Sequence, residues 1–314
     1  MVLTEVQPRR RKSFWGQVKT SRMLLFMCVP AIAFFLVFNY APLPGIWIAF
    51  TDFNYRDGIF GSEFVGLRNF EFLIKSGMLW DLTRNTILYN IAFIVLGNVL
   101  QIAIAIMFNE VRLKFFKKFT QGIMFLPYFI SVVLIGVIAF NILNYDTGAL
   151  NTLIEKAGGD PIKIYSMAGI WPLIIIIVHL WQSTGYGSIV YFAAIMGIDK
   201  GLFEAAEIDG ASAWQRIRYV ILPSLKPTFI ILFLFSLGGI MSGNFGLFWN
   251  LVGNNAALFS TTDIIETSVY RMVMSQNNFT TSTAVGLYQS LFGFAVVMTA
   301  NWIVRRMNKD YALF

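Results

Sequence analysis

His179 and Cys28 are the chain's single histidine and single cysteine. A metal centre needs three or four ligands, and an enzyme acting inside a membrane needs a nucleophile beside a base. One histidine, one cysteine and no carboxylate within the long apolar runs leave little from which to build either. Cys28 cannot form an internal disulfide and reads as a small apolar side chain. A phosphate-binding loop of the Gly-x-x-x-x-Gly-Lys kind is excluded, because the dipeptide Gly-Lys does not occur. What remains is neutral, non-covalent chemistry. One group is His179, Trp181, Gln182, Ser183, Thr184 and Tyr186. Another is Ser242, Asn244, Trp249 and Asn250, set among Gly238, Gly239, Gly243 and Gly246. Polar side chains inside an apolar run face a cavity or a partner helix, since lipid offers them no hydrogen bonds. The glycines mark close helix packing or a break that turns backbone carbonyls toward a cavity. Asn141 is a further candidate on the same grounds. Any single aromatic also has a plainer reading, lipid-facing or core, because Phe alone occurs 31 times; for His179 the plainer reading is a satisfied core histidine.

The elements that must position these residues follow from charge. The chain has 314 residues, 57% hydrophobic and 13% charged, whereas a soluble domain carries roughly a quarter charged residues. Lipid must therefore cover much of the surface. Six stretches contain no Asp, Glu, Lys or Arg: 23–51, 85–109, 119–145, 164–198, 227–262 and 272–304. A helix needs about 20 apolar residues to cross the roughly 30 Å hydrocarbon core. Each stretch holds one crossing and none holds two, although the longer ones leave room for a re-entrant or external segment. The expectation is an all-α, polytopic membrane protein with six spanning helices over 23–304, a basic segment 1–22 before them and a tail 305–314 after them. On the side shared by the termini lie 17 of the 24 Lys and Arg residues, against seven on the other. The positive-inside rule then puts both termini in the cytoplasm. The net charge of +7 is accounted for by topology and contact with anionic lipid, with no need of nucleic acid. The segment 9–22, with Phe14 and Trp15 among its cations, suits the inner membrane surface. No small-x-small cleavage site follows the first apolar run, so that run reads as an uncleaved helix.

Outside, the loop 52–81 contains Gly58, Gly61, Gly66 and Gly77, which are expected to interrupt regular structure. The loop 146–163 reads as turns with a short helix. Near Thr262 and Asp263 a short helix is expected to start, with Glu266 in its first turn and its end near Met274. Inside, the loop 199–223 reads as two short helices with a sharp turn. Leu202 to Ile208 are good helix formers, and Gly210 suits the left-handed conformation that ends a helix. Ser212 and Gln215 form a capping box for the next helix. Trp214, Ile217 and Ile221 fall on one face of it, Pro223 is expected to stop it, and Pro227 suits the first turn of span five. A helix–turn–helix with Ala205 and Ala206 beside Glu204 suits docking in another protein's groove. A solvated amphipathic loop is the plainer alternative.

This loop resembles the signature of the membrane subunits of binding-protein-dependent ABC importers, in Glu204-Ala205-Ala206, Gly210 and Val220-Ile221-Leu222-Pro223, with Val220 replacing the usual Ile. Asn39-Tyr40-Ala41-Pro42, the stretch from Ile48 to Phe53, the stretch from Phe64 to Phe70, Leu126-Pro127 and Gly197-Ile198-Asp199 look like the sugar-importing, maltose-permease-like branch. The stretch from Pro44 to Phe50 and the closing Asp310-Tyr311-Ala312-Leu313-Phe314 look like permeases for complex oligosaccharides or polysaccharide fragments. The resemblance implies the type I importer permease fold in a bacterial plasma membrane, with a cytoplasmic coupling helix over Glu204–Gly210. It implies four kinds of partner: a second, homologous permease, two ATPase subunits, an extracytoplasmic sugar-binding protein and the oligosaccharide. ATP and Mg would be bound by the ATPases, and no cofactor by this chain. Glu204, Ala205, Ala206, Asp209, Gly210, Leu222 and Pro223 would couple to the ATPase. His179, Trp181, Gln182, Tyr186, Asn244, Trp249 and Asn250 would offer the aromatic faces and amides that sugar rings need. Two rivals stand beside this. A permease of the same family for a non-sugar solute differs only by resemblance. A gradient-driven transporter would carry charged side chains in its spans, and the six stretches have none.

Overall fold

The computed structural model describes residues 21–307. The expected interfacial segment around Phe14 and Trp15, and the closing residues 310–314, lie outside the described residues. Within them the chain is almost wholly helical. Five helical segments are long and apolar enough to cross a membrane: Arg22–Phe50, Met78–Glu110, Ala168–Met196, Ala213–Leu237 and Phe279–Arg306. The bent pair Lys114–Phe129 and Val132–Leu143, whose halves meet at 93°, makes a sixth when counted as one span, here span three. The second span is 33 residues, or about 50 Å of helix at 1.5 Å per residue. It is longer than the hydrocarbon core requires and packs along span four, the most extensive helix pair in the fold.

From Arg22 to Tyr40 the first span buries none of its residues against the rest of the chain, with Met23 at 80% exposure and Phe26 at 76%. Such a continuous apolar surface is incompatible with water, so lipid or another subunit must cover it.

The bend in span three has a local cause. Pro127 sits in a tight 3-10 turn, Leu126–Phe129, and Ile130 is extended. The Ser131 hydroxyl then accepts from the Leu134 N–H and caps a new helix. A break at membrane depth frees backbone groups that must find protein partners. Here the Gln182 amide of span four donates to the Ile130 carbonyl at 3.1 Å. Close packing secures the second half: a Cβ at Gly136 would stand 2.3 Å from the Asn250 carbonyl oxygen.

Three expectations need correction. Loop 52–81 is not irregular, because Thr51–Asp52 pairs antiparallel with Glu63–Phe64 and a helix runs over Arg68–Lys75. The glycines serve its turns, with Gly58, Gly66 and Gly77 at positive φ. Pro223 does not end the helix that begins at Ala213. A π turn over Ile217–Ile221 lets the Leu222 N–H reach the Ile217 carbonyl, and Pro223 falls in the first turn of Leu222–Leu237, where its missing N–H is tolerated. Pro227, expected in the first turn of span five, lies inside that helix, one turn past Pro223; on the preceding turn Trp214 is 66% exposed while Ile221 is fully buried.

The short helix Ile265–Gln276, between spans five and six, begins two residues after Asp263. Asp263 accepts from the Thr267 hydroxyl and pairs with Arg271, both side chains being nearly buried at 12% and 13% exposure. The Arg271 guanidinium also lies 4.0 Å over the Phe259 ring. Removing one partner of such a pair strands a charge and costs about 3–5 kcal/mol. Arg271→Met is therefore expected to lower the thermal unfolding temperature of the purified protein by several degrees. Adding Asp263→Asn to it should recover part of that loss.

Candidate functional site

The site is built around a second break. The helix of span five ends at Leu237, and a new helix, Phe245–Val252, starts only after seven residues that include Gly238, Gly239 and Gly243. The freed backbone is satisfied from three directions. The Asn90 amide of span two donates to the carbonyls of Ile240 at 3.0 Å and Ser242 at 3.1 Å. The Gln289 amide of span six donates to the Met241 carbonyl at 2.8 Å. The Glu266 carboxylate, reaching in from the helix Ile265–Gln276, accepts from the Gly243 N–H at 2.5 Å and from Gln289 at 2.8 Å. Each unsatisfied group here would cost several kcal/mol, so these side chains permit the break. Burial pushes the Glu266 carboxyl up from its ordinary value, opposed by the hydrogen bonds from Gly243 and Gln289. Gly243 is required by space, since a Cβ would meet Ile264 Cδ1 at 2.3 Å and Glu266 Oε2 at 2.6 Å.

The break opens onto a cavity of about 620 Å³ between spans two, four and five, within the roughly 300–1,000 Å³ of small-molecule sites. Its polar lining includes Asn90, Asn98 and Gln101 from span two, His179 and Tyr186 from span four, and Asn244 at the break. Phe93, Phe235 and Phe245 supply aromatic surface. No Asp, Glu, Lys or Arg lines it among the described residues. The His179 ring stacks on Phe93 with centroids 3.8 Å apart, and Tyr186 stacks on Tyr128 at 4.3 Å. A lining of amides, hydroxyls and ring faces can hold a neutral, hydroxyl-rich solute.

Of the seven residues expected on the path, the structure brings His179, Tyr186 and Asn244 together. Gln182 is turned instead to the bend of span three. Trp181 is 48% exposed and does not line the cavity. Trp249 and Asn250 lie on the helix beyond the break, where Trp249 packs on Phe245 and Tyr270 and the Asn250 amide donates to the Gly246 carbonyl. Asn141 likewise donates within its own helix, to Val137. The residues missed are those of span two. Their signal was available: Asn90, Asn98 and Gln101 are spaced by eight and three, which places them within about 80° of one helix face.

At the other end, the loop expected to couple is laid out as its local chemistry dictates. The helix Lys200–Ile208 is capped by Asp199, whose side chain accepts from the Gly201 N–H. Gly210 has φ +70°. The Ser212 hydroxyl and the Gln215 side chain form the capping box reciprocally. Nothing in the helix is buried: Glu204, Ala205, Asp209, Leu222 and Pro223 are exposed, Ala206 is half-buried, and Ile208 is 86% exposed. Glu110, at the end of span two, pairs with Arg216 at 3.6 Å. That contact links the loop to the helix that carries the cavity amides.

Residues 97–309, which include this loop and the cavity lining from Asn98 onward, match the family of inner membrane components of binding-protein-dependent transport systems. The chain belongs to this family. Its members are transport subunits, not enzymes. The chain is 33% identical over 301 residues to the polygalacturonan/rhamnogalacturonan transport system permease YteP of Bacillus subtilis (strain 168), covering 96% of this chain and 93% of that one. The fold is similar to that of a bacterial ABC transporter involved in the import of the acidic polysaccharide alginate, with a TM-score of 0.85 and 30% identity over 95% of this chain and 100% of that one. A second structure of the alginate transporter, in complex with an alginate pentasaccharide-bound periplasmic protein, matches with a TM-score of 0.84 and 30% identity over 95% of this chain and 99% of that one. The apolar helices and the family together make this a multi-pass inner membrane protein with the type I importer permease fold.

Proposed function

We propose that this chain forms one half of the membrane path of an ABC importer for an oligosaccharide or polysaccharide fragment. The observation that carries the reading is the uncharged cavity at the broken fifth span, which offers ring faces and amides in a chain whose relatives are named for glycan transport. A second permease faces it, two ATPases bind ATP and Mg beneath, and an external binding protein delivers the glycan. Both termini lie in the cytoplasm, in keeping with the 17 to seven distribution of basic residues. The helix Lys200–Ile208 is the coupling helix. Its exposed Leu202 and Ile208 supply the apolar contact with the ATPase, Glu204 the charged one, and Gly210 the turn that sets its angle. Nucleotide closes the ATPase pair, and the helices move as rigid bodies between two packed arrangements.

The test is to tag the chain in its own cells, solubilise it in mild detergent and identify what co-purifies. A second six-span protein and an ATPase are expected, with ATP hydrolysis raised several-fold by a sugar-loaded binding protein. Recovery of the chain alone, or only as a homo-oligomer, even after crosslinking, would overturn the reading. Stimulation by a binding protein loaded with an amino acid or an ion would retain the importer and remove the sugar.

A further inference from the structure

Resting on the reading of this cavity as a glycan path, we infer that Gln101, on span two, is a specificity-determining residue that reads sugar hydroxyls in the inner part of the cavity. Most polar side chains of the lining are already committed to other partners. The Asn90 amide is engaged by the carbonyls of Ile240 and Ser242. Asn98 donates to the Ile94 carbonyl and accepts from the Tyr191 hydroxyl. Ser183 and Ser236 donate to carbonyls one turn back in their own helices. The Asn244 oxygen caps the helix that follows it. His179, Tyr186 and the Ser242 hydroxyl also line the cavity without a side-chain hydrogen bond among the described residues, but of the lining amides Gln101 is the one with neither its N–H nor its carbonyl engaged.

Its position is nevertheless built. Span four has a glycine, Gly187, where the amide sits. A Cβ there would lie 2.2–2.5 Å from Gln101 Cδ, Nε2 and Oε1. Gly97, one turn earlier on Gln101's own helix, leaves a Cβ position 3.7 Å from Nε2. This amide, held between two glycines, is part-buried and open to the cavity, with both its donor and its acceptor free to bond an occupant. It pairs well with a solute that presents a hydroxyl donor and a hydroxyl acceptor side by side, as adjacent hydroxyls on a pyranose ring do. The location sets its role. Gln101 is 11 residues beyond Asn90, about 16 Å along the helix, and four residues before Ala105, which belongs to the buried cluster with Ile221 and Leu225 in the first half of span five, ahead of the break. Gln101 thus meets the glycan after it has passed the break.

The experiment uses the assembled importer, with its partner permease, ATPases and binding protein, in proteoliposomes. Uptake is measured for oligogalacturonides, alginate oligomers and starch oligomers, each beside its O-methylated counterpart. Gln101→Leu is expected to reduce uptake of the preferred glycan about tenfold, which corresponds to the 1.4 kcal/mol of one hydrogen-bonded contact. It should also narrow the preference over the methylated form. Gly187→Ala, which displaces the amide without deleting it, should shift both readouts in the same direction by less, while thermal unfolding shows each variant folded. If wild type imports the panel and both variants keep its rate and ranking, the role of Gln101 is refuted and the glycan path stands. If wild type imports none of the panel, the glycan path falls and this inference falls with it.

Discussion

Gly210→Val is expected to give a permease that inserts and folds, yet transports at a tenth of the wild-type rate or less and loses stimulation of ATP hydrolysis by the binding protein. Gly210 has φ +70°, and nothing lies within 4 Å of where its Cβ would be. A valine there meets no steric obstacle, and its whole penalty is backbone strain of about 1–3 kcal/mol. The chain can relieve that strain by changing the angle between Lys200–Ile208 and the helix that starts at Ala213. None of the residues at this turn is buried, so relief costs the permease little stability. It does cost alignment of the exposed surface that meets the ATPase, and about 1.4 kcal/mol of bias against the docked arrangement is already a factor of ten. Gly158→Val is the matched control. Gly158 has φ +82° in open space in the loop after Ala149–Lys156, so a valine there creates the same strain far from the coupling loop. Transport and stimulated hydrolysis, measured side by side, should collapse for the first variant and persist for the second. Normal transport by Gly210→Val, or an equal loss in both, would remove the coupling role from this turn.

The crossings were legible because burial in lipid leaves a signal in composition alone: five charge-free stretches carry the middle of a spanning helix, whereas span five begins at Ala213 and only its second half lies in its stretch; the helix of span two extends past its stretch at both ends. The layout of the loop 199–223 was legible for a different reason. Asp199, Gly210, Ser212 and Gln215 act within three residues of themselves, and capping chemistry is local. The two breaks were only half visible. Gly238, Gly239 and Gly243 indicate that span five could open, and Pro127 that span three could turn. Neither sequence feature names the partner that makes an open backbone tolerable in lipid. Those partners are amides, Asn90 and Gln289 for one break and Gln182 for the other. They are about 50 to 150 residues away from the carbonyls they serve, and a single sequence holds no record of that pairing. This is also why Gln182 read as a path residue: an amide inside a span has two uses, and pairing decides which. The span-two face of the cavity was missed although its spacing was readable, because a few amides spread along a long helix look sparse beside the dense cluster of span four.

The packing of span four gives the prediction with the largest effect on stability. Gly185→Ala adds one methyl group, and that methyl would stand 1.8 Å from the Met124 carbonyl oxygen and 2.6 Å from its carbonyl carbon. Both are backbone atoms of the helix Lys114–Phe125, so no side chain can rotate away. Either the two helices separate or span three changes its path. Separation would also pull the Gln182 amide, three residues earlier, from the Ile130 carbonyl and leave the bend unsatisfied. Overpacking a well-filled interior costs about 1–3 kcal/mol, and loss of the bond at Ile130 adds about 1–3 kcal/mol for a stranded carbonyl. The purified variant should therefore unfold many degrees below wild type, or fail to accumulate in the membrane. Gly187→Ala, two residues on in the same helix, sharpens the comparison. The added methyl there meets the far end of a flexible side chain, Gln101, which can swing into the cavity, so that variant should fold with an unfolding temperature within a few degrees of wild type. The distinction depends on what each glycine faces: backbone for Gly185, and a movable amide for Gly187. Equal stability of the two alanine variants would mean that span four does not press against the backbone of span three at Met124, and the bend of span three would then need a different support.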